Sequence, residues 1–286
     1  MVRSPPRTSL LADGSQWIVR GALTVGAVAM AAQYVPSTVT LGAWTPLQSL
    51  PWDLCRWQGS STARSVALTF DDGPSAEATP AVLDRLDELG LRATFFPLGS
   101  LVERAPDLVM EVLRRGHQVG THGYHHRHHL AHTPSWISAD LAAAERAMEG
   151  VGVRPTWYRP TYGQVTGATL MAARRRSWRT VLWSAWGREW AAADASEVAR
   201  RIIRRLRPGS VVLLHDNDSF GPRGMWKLGI DSLGAVAAAM ERTGLRAVTL
   251  DELVAPVALA SEPFGQRPLV REPTDQGRCS ARSASE

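Results

Sequence analysis

The chain has 286 residues with 44% hydrophobic content, ample for a packed core in one large domain or two small ones. Its formal charge of +5 and pI near 9.8 do not make it a nucleic-acid binder: the arginines are dispersed over several predicted helices and no nucleic-acid-binding motif occurs. A basic protein near an anionic cell envelope is the better reading. The two cysteines, Cys55 and Cys279, form no Cys-x-x-Cys pair, which excludes thiolate zinc sites and redox motifs and leaves a disulfide allowed but not inferable.

Taken in chain order, Arg3, Arg7 and Arg20 precede an apolar run over residues 21 to 35. At about 15 residues the run is shorter than a spanning helix needs. With Trp17 to Val19 included it would span if Arg20 snorkels, giving an uncleaved anchor with its basic end in the cytoplasm. Ala29-Met30-Ala31 equally offers a small-x-small cleavage site. Residues 1 to 35 therefore read as a signal or membrane anchor, and either route places the rest of the chain outside the cytoplasm. Residues 36 to 63 mix Pro, Ser, Thr and Trp without a sustained period and read as a connector. Residues 64 to 257 are the expected folded domain. The tail over residues 258 to 286 is rich in Arg, Ser, Glu and Pro and is expected to be disordered.

Within the domain, strands and helices alternate. Strands are expected at residues 65 to 70, 92 to 96, 117 to 120, 156 to 159, 180 to 183, 210 to 214 and 246 to 250. The first helix is expected to take Thr79 as its cap and Pro80 as its first residue, stopping before Gly90. Further helices are expected from Pro106 to before Gly116, over residues 138 to 149, over residues 167 to 176, after a Ser196 cap, and over residues 228 to 240. Arginines 200, 201, 204, 205 and 207 read as a solvated face of the helix after Ser196. Seven strands alternating with helices indicate a parallel α/β architecture. In a closed (β/α) barrel the ends of the strands converge on one face, where such barrels place their chemistry. An open doubly wound sheet is the alternative, but no Gly-x-Gly-x-x-Gly follows the first strand.

The chemistry-bearing residues fall just after strands. Asp71 and Asp72 end the first, in Thr69-Phe70-Asp71-Asp72-Gly73-Pro74, and read alone they are a turn. His122 and His126, four residues apart, would together with one Asp give a divalent cation three N/O ligands and an open position, the pattern of a catalytic rather than a structural site. His125 lies between them and competes for the role. A hydroxide-like nucleophile at neutral pH needs such a cation, and of two adjacent carboxylates one is free to take the proton from the water. His215, at the end of an apolar strand beside Asp216, suits a general acid working near neutrality.

In order, Thr69 to Gly73, Thr121 to His126, Tyr158 to Gly163, Trp183 to Trp190 and Leu213 to Asp216 closely resemble the five motifs of the polysaccharide deacetylase family, carbohydrate esterase family four. The resemblance covers about residues 64 to 254. It implies a distorted (β/α) barrel of about seven parallel strands and a metal-dependent hydrolysis removing acetyl groups from sugars, usually from the 2-amino group of N-acetylglucosamine units. It implies Asp72, His122 and His126 as ligands of a divalent metal, commonly zinc, with Asp71 as general base and His215 as general acid. Arg159 and Glu189 would support these groups from behind. Trp190 and Leu213 would wall the acetyl pocket, and the backbone N–H of Tyr162 would hold the oxyanion.

The sequence departs from the pattern at four places. Gly123 stands where Ser or Thr usually follows the first histidine, which removes a hydroxyl expected to brace the ligand loop. Thr161 stands where Pro is common, Trp186 where Asp is common, and Glu189 where Asp precedes the tryptophan. These bear on substrate range more than on the reaction. The leading expectation is an exported or anchored deacetylase of an envelope polysaccharide containing N-acetylglucosamine. An O-acetyl esterase or other small-amide hydrolase on the same scaffold, and a catalytically weak glycan-binding protein, are the alternatives. Neither the metal, the glycan nor the oligomeric state follows from the sequence.

Overall fold

The computed structural model describes Cys55, Arg56, Gly59 and residues 64 to 254. The expected anchor or signal, most of the connector and the tail lie outside the described residues. Among the described residues, no helix is long and apolar enough to cross a membrane.

Among the described residues, nine strands and eight α-helices follow one another. The strands are β1 (Cys55–Arg56), β2 (Ser65–Asp71), β3 (Ala93–Phe96), β4 (Gln118–Val119), β5 (Trp157–Tyr158), β6 (Arg179–Val181), β7 (Ala185–Trp186), β8 (Val211–His215) and β9 (Arg246–Ala247). The helices are α1 (Ala78–Glu88), α2 (Gly99–Val102), α3 (Pro106–Arg114), α4 (Pro134–Gly150), α5 (Gly167–Arg175), α6 (Ala195–Ile203), α7 (Met225–Thr243) and α8 (Leu250–Val254). All strand pairings are parallel. One sheet runs β4-β3-β2-β8-β7, with β9 attached to β2; the other runs β1-β6-β5. A parallel bridge between Thr121 and Tyr158 joins the two into a barrel-like wall. The expected α/β class with parallel strands holds.

Every residue of β2 is buried, which marks a parallel strand covered on both faces. Alternation sorts the strand. Val66, Leu68 and Phe70 join the main core with Val82, Leu83 and Leu86 of α1, Val198 and Ile202 of α6, and Leu233 and Val236 of α7. Ala67 faces the other way, into a smaller cluster with Phe96, Trp157, Val181, Val211 and the α8 residues Leu250 and Leu253. Thr69 and Asp71 share the parity of Ala67, so the period of two aims the last carboxylate of β2 at that second face.

Several expectations shift. The helix expected to be capped by Thr79 begins at Ala78, and its cap position is Glu77. The buried Thr79 hydroxyl instead donates to Asp216 Oδ2 at 2.6 Å, because a hydroxyl inside the packed face finds its partner there. The cap of α6 is Asp194, not Ser196; its carboxylate accepts from the Glu197 N–H at 2.8 Å. Helix α4 starts four residues earlier than expected, behind a Thr133 cap and Pro134. The strand expected at residues 180 to 183 ends at Val181; residues 185 and 186 then pair with β8 in the other sheet. The last strand has only two residues, and Leu250 opens α8 instead of ending it. Cys55 and Arg56, in the segment read as a connector, pair with Thr180 and Val181.

Candidate metal and active site

Register brings the first carboxylates and the last histidine together. Asp71, the end of β2, is paired in register with Phe96 on one side and with His215, the end of β8, on the other. Leu213, two residues earlier on β8, shares the parity of His215 and is 3% exposed. Asp72 then leaves the strand with φ of 77°, a left-handed conformation costly for a residue other than glycine. Its backbone carbonyl accepts from Asn217 Nδ2 at 2.9 Å. Gly73 permits the turn, since a Cβ there would lie 2.2 Å from Asp216 Oδ2.

Asp72 Oδ1 lies 3.2 Å from His126 Nε2 and 3.4 Å from His122 Nε2. Ligand atoms of Asp72, His122 and His126 fall within 4.8 Å of one another, and this is the group able to hold a metal ion among the described residues. The donor chemistry fits a divalent cation. Asp72 Oδ1 is buried without a hydrogen-bond partner, which is costly for an acceptor unless a cation supplies the missing charge. His122 Nδ1 lies 2.8 Å from the carbonyl of Arg159, so that nitrogen carries the proton and Nε2 presents a lone pair. Burial pushes the His122 and His126 imidazoles down to about 3, keeping both neutral and able to ligate. Burial, with Asp71 and Asp216 nearby, pushes the Asp72 carboxyl up to about 7, a shift that a bound cation opposes.

Asp71 does not share this cluster. Its Oδ1 accepts from Arg159 Nη1 at 2.8 Å, while its Oδ2 lies 4.0 Å from His122 Nε2. Arg159 is fully buried, and also donates to Thr69 Oγ1 at 2.7 Å and to the carbonyl of Leu182 at 3.1 Å. Burial raises the Asp71 carboxyl above its ordinary range and Arg159 opposes that rise, so the residue is more basic than an exposed aspartate.

His215 Nδ1 lies 3.2 Å from Glu189 Oε1, and Glu189 is buried. Burial works against the charged imidazole, but the carboxylates of Glu189, Asp72 and Asp71 outweigh it and push the group up to about 9. The edge of Trp190 meets the His215 ring at 5.7 Å. Tyr162 sits in a short turn after β5 with φ of 56°, its ring 4.3 Å from that of His126. Asp71, Asp72, His122, His126, Arg159, Tyr162, Glu189, Trp190 and His215 thus lie together, with Leu213 two residues before His215 on β8.

The surroundings of three residues were not legible. Phe220, from the loop after β8, stacks on His126 at 4.2 Å. Asp216 is buried and pushed up to about 7 by that burial, against the Thr79 bond. Asp140, on α4, takes His125 out of the competition: its Oδ1 holds His125 Nδ1 at 2.8 Å, and the His125 side chain is 54% exposed. A carboxylate 14 residues beyond His126, one helix further on, gives no local signal of such a contact.

The chain is similar to known proteins of one family. The polysaccharide deacetylase family model matches residues 58 to 181. A peptidoglycan-N-acetylglucosamine deacetylase of Bacillus cereus is 30% identical over 207 residues, covering 71% of this chain and 94% of that protein. A chitooligosaccharide deacetylase of a Bradyrhizobium species is 34% identical over 158 residues, covering 54% of this chain and 72% of its own. Among solved structures, a peptidoglycan N-acetylglucosamine deacetylase in complex with 4-naphthalen-1-yl-N-oxidanyl-benzamide superposes with a TM-score of 0.68 at 30% identity, over 74% of this chain and 97% of that one. A carbohydrate esterase family four pseudoenzyme from Bacillus anthracis superposes with a TM-score of 0.63 at 20% identity, over 70% of this chain and 68% of that one. That last likeness is one of fold alone.

Proposed function

We propose that this chain, which belongs to the polysaccharide deacetylase family, is a zinc-dependent hydrolase that removes N-acetyl groups from an envelope polysaccharide containing N-acetylglucosamine. The observation that carries the reading is the convergence, at one end of the strands, of a buried Asp-His-His cluster with a second carboxylate and a carboxylate-backed histidine. Asp72, His122 and His126 would hold the cation, which when bound supplies Lewis-acid polarisation and a more acidic water.

The chain's own residues divide the remaining work. Asp71, with Oδ1 fixed by Arg159, takes the proton of the attacking water at Oδ2. The backbone N–H of Tyr162 holds the oxyanion that forms as the carbonyl becomes tetrahedral. His215 carries a proton because Glu189 stabilises its charged form, and with Nδ1 engaged it donates from Nε2 to the leaving amine. The C–N bond then breaks to acetate and a free amino sugar. Leu213 and Trp190 wall the acetyl methyl group. The reaction belongs outside the cytoplasm, with residues 1 to 35 acting as signal or anchor, and the chain folds as a distorted (β/α) barrel.

Acetate release from N-acetylglucosamine oligomers, peptidoglycan and O-acetylated xylan, with zinc supplied, tests the proposal. Release from the N-acetylated substrates, abolished in Asp71→Asn and His126→Ala, is expected. Release from xylan alone moves the activity to esters. Glycan binding without release from any substrate makes the chain a binding protein.

A further inference from the structure

The loop from His122 to His126 is held from two sides. Helix α2 takes its carbonyls: Gly99 N–H donates to the Gly123 carbonyl at 2.8 Å and Ser100 N–H to that of Tyr124 at 3.2 Å. Asp140 takes its N–H groups: Tyr124 N–H donates to Oδ2 at 3.0 Å and His125 N–H to Oδ1 at 3.1 Å. The same Oδ1 lies 2.8 Å from His125 Nδ1, and the Asp140 side chain is 1% exposed. Gly123, which brings no hydroxyl to this loop, has φ of 91°, and a Cβ there would stand 3.1 Å from Asp140 Oδ2.

We infer that Asp140 is the positioning residue that selects His126 over His125 as the third ligand, in place of a hydroxyl at position 123. The inference rests on the metal-dependent reading above and deepens it. His125 and His126 are neighbours, so a rotation of the loop backbone exchanges which imidazole faces Asp72. One buried carboxylate prevents the exchange twice over, by fixing two consecutive peptide N–H groups and by tying the His125 ring outward. Without Asp140, two N–H groups lose their acceptor and a free imidazole stands beside the site. The missing hydroxyl at position 123 is therefore no defect, because the bracing comes from α4.

The test compares the wild type with Asp140→Ala, Asp140→Asn and the Asp140→Ala, His125→Ala double variant. It reads zinc affinity by competition with a chromogenic chelator and the visible spectrum of the cobalt-loaded protein. In Asp140→Ala, zinc affinity is expected to fall about tenfold or more and the cobalt bands to change. In the double variant the wild-type bands are expected to return, because the competing imidazole is gone. Asp140→Asn, which keeps one acceptor oxygen, is expected to fall between the two, and it decides alone if the alanine variant does not fold. Wild-type affinity and spectrum in these variants overturn the inference. Weakened affinity with an unaltered cobalt spectrum also overturns it, leaving Asp140 a brace without selectivity. A wild-type chain that binds zinc but releases no acetate counts against the proposed function and not against this inference.

Discussion

Two residues carry charge changes that can be read from outside. The His122 and His126 imidazoles are already neutral near pH 7, so of the three ligands only Asp72, pushed up to about 7 by burial, exchanges its proton near neutrality. Zinc affinity is therefore expected to weaken as pH falls below 7, with a slope near one proton per metal instead of two or three, measurable by chelator competition between pH 5.5 and 8. At the other end of the reaction, a general acid raised to about 9 is lost as pH rises through that value, which sets an alkaline limb on turnover. A bound cation moves the limb down in every variant. Glu189→Gln removes the carboxylate that favours the charged imidazole, so the limb is expected to move at least about one further pH unit down. Gly123→Ser, which restores the family's usual hydroxyl, is expected to lower the melting temperature rather than tighten the metal site. Its left-handed backbone costs a side chain about 1 to 2 kcal/mol, and Asp140 already occupies the neighbourhood.

At the scale of elements, one hydrogen bond ties α1 to the turn after β8. Thr79 Oγ1 donates to the buried Asp216 Oδ2 and accepts from Ser75 N–H at 2.8 Å, a part-buried bond. Thr79→Val keeps the shape and removes both partners, so a loss of about 1 to 3 kcal/mol is expected in urea unfolding at pH 7. The sequence marks this threonine as a helix cap, because Thr-Pro before an apolar period is the usual cap signal. Burial decided otherwise: a hydroxyl packed against the Asp216 carboxylate is worth more there than at an exposed helix start. The break in the strand after Val181 has the same character. Thr180 to Trp183 reads as one β-prone run, yet Val181 pairs with one sheet and Ala185 with the other. Crossing between sheets is a matter of partners, which no local propensity encodes.

Across the whole molecule, buried histidines make the fold acid-sensitive apart from its chemistry. His129 reads as part of a polar histidine-rich loop, but it is 1% exposed, with Nδ1 3.0 Å from Thr169 Oγ1, and burial pushes it down to about 4. Its unfolded form binds protons below about pH 6.5 and its folded form does not until about 4, so stability falls as pH drops through that window. Its share is about 1 to 2 kcal/mol between pH 7 and pH 5, and His129→Gln is expected to flatten the pH dependence of the unfolding free energy from urea titrations by that amount. What the sequence by itself determined is the alternation of strands and helices and the five motif segments just after strands. Those follow from periods of two and 3.6 residues and from short-range spacing. The resemblance named Asp72 as the ligand and put Arg159 and Glu189 behind their partners; only the tertiary structure supplied the contacts themselves and turned His125 outward on Asp140. Each of those depends on contacts between residues 15 to 88 positions apart, and a chain read one window at a time contains no record of which distant groups burial will force to pair.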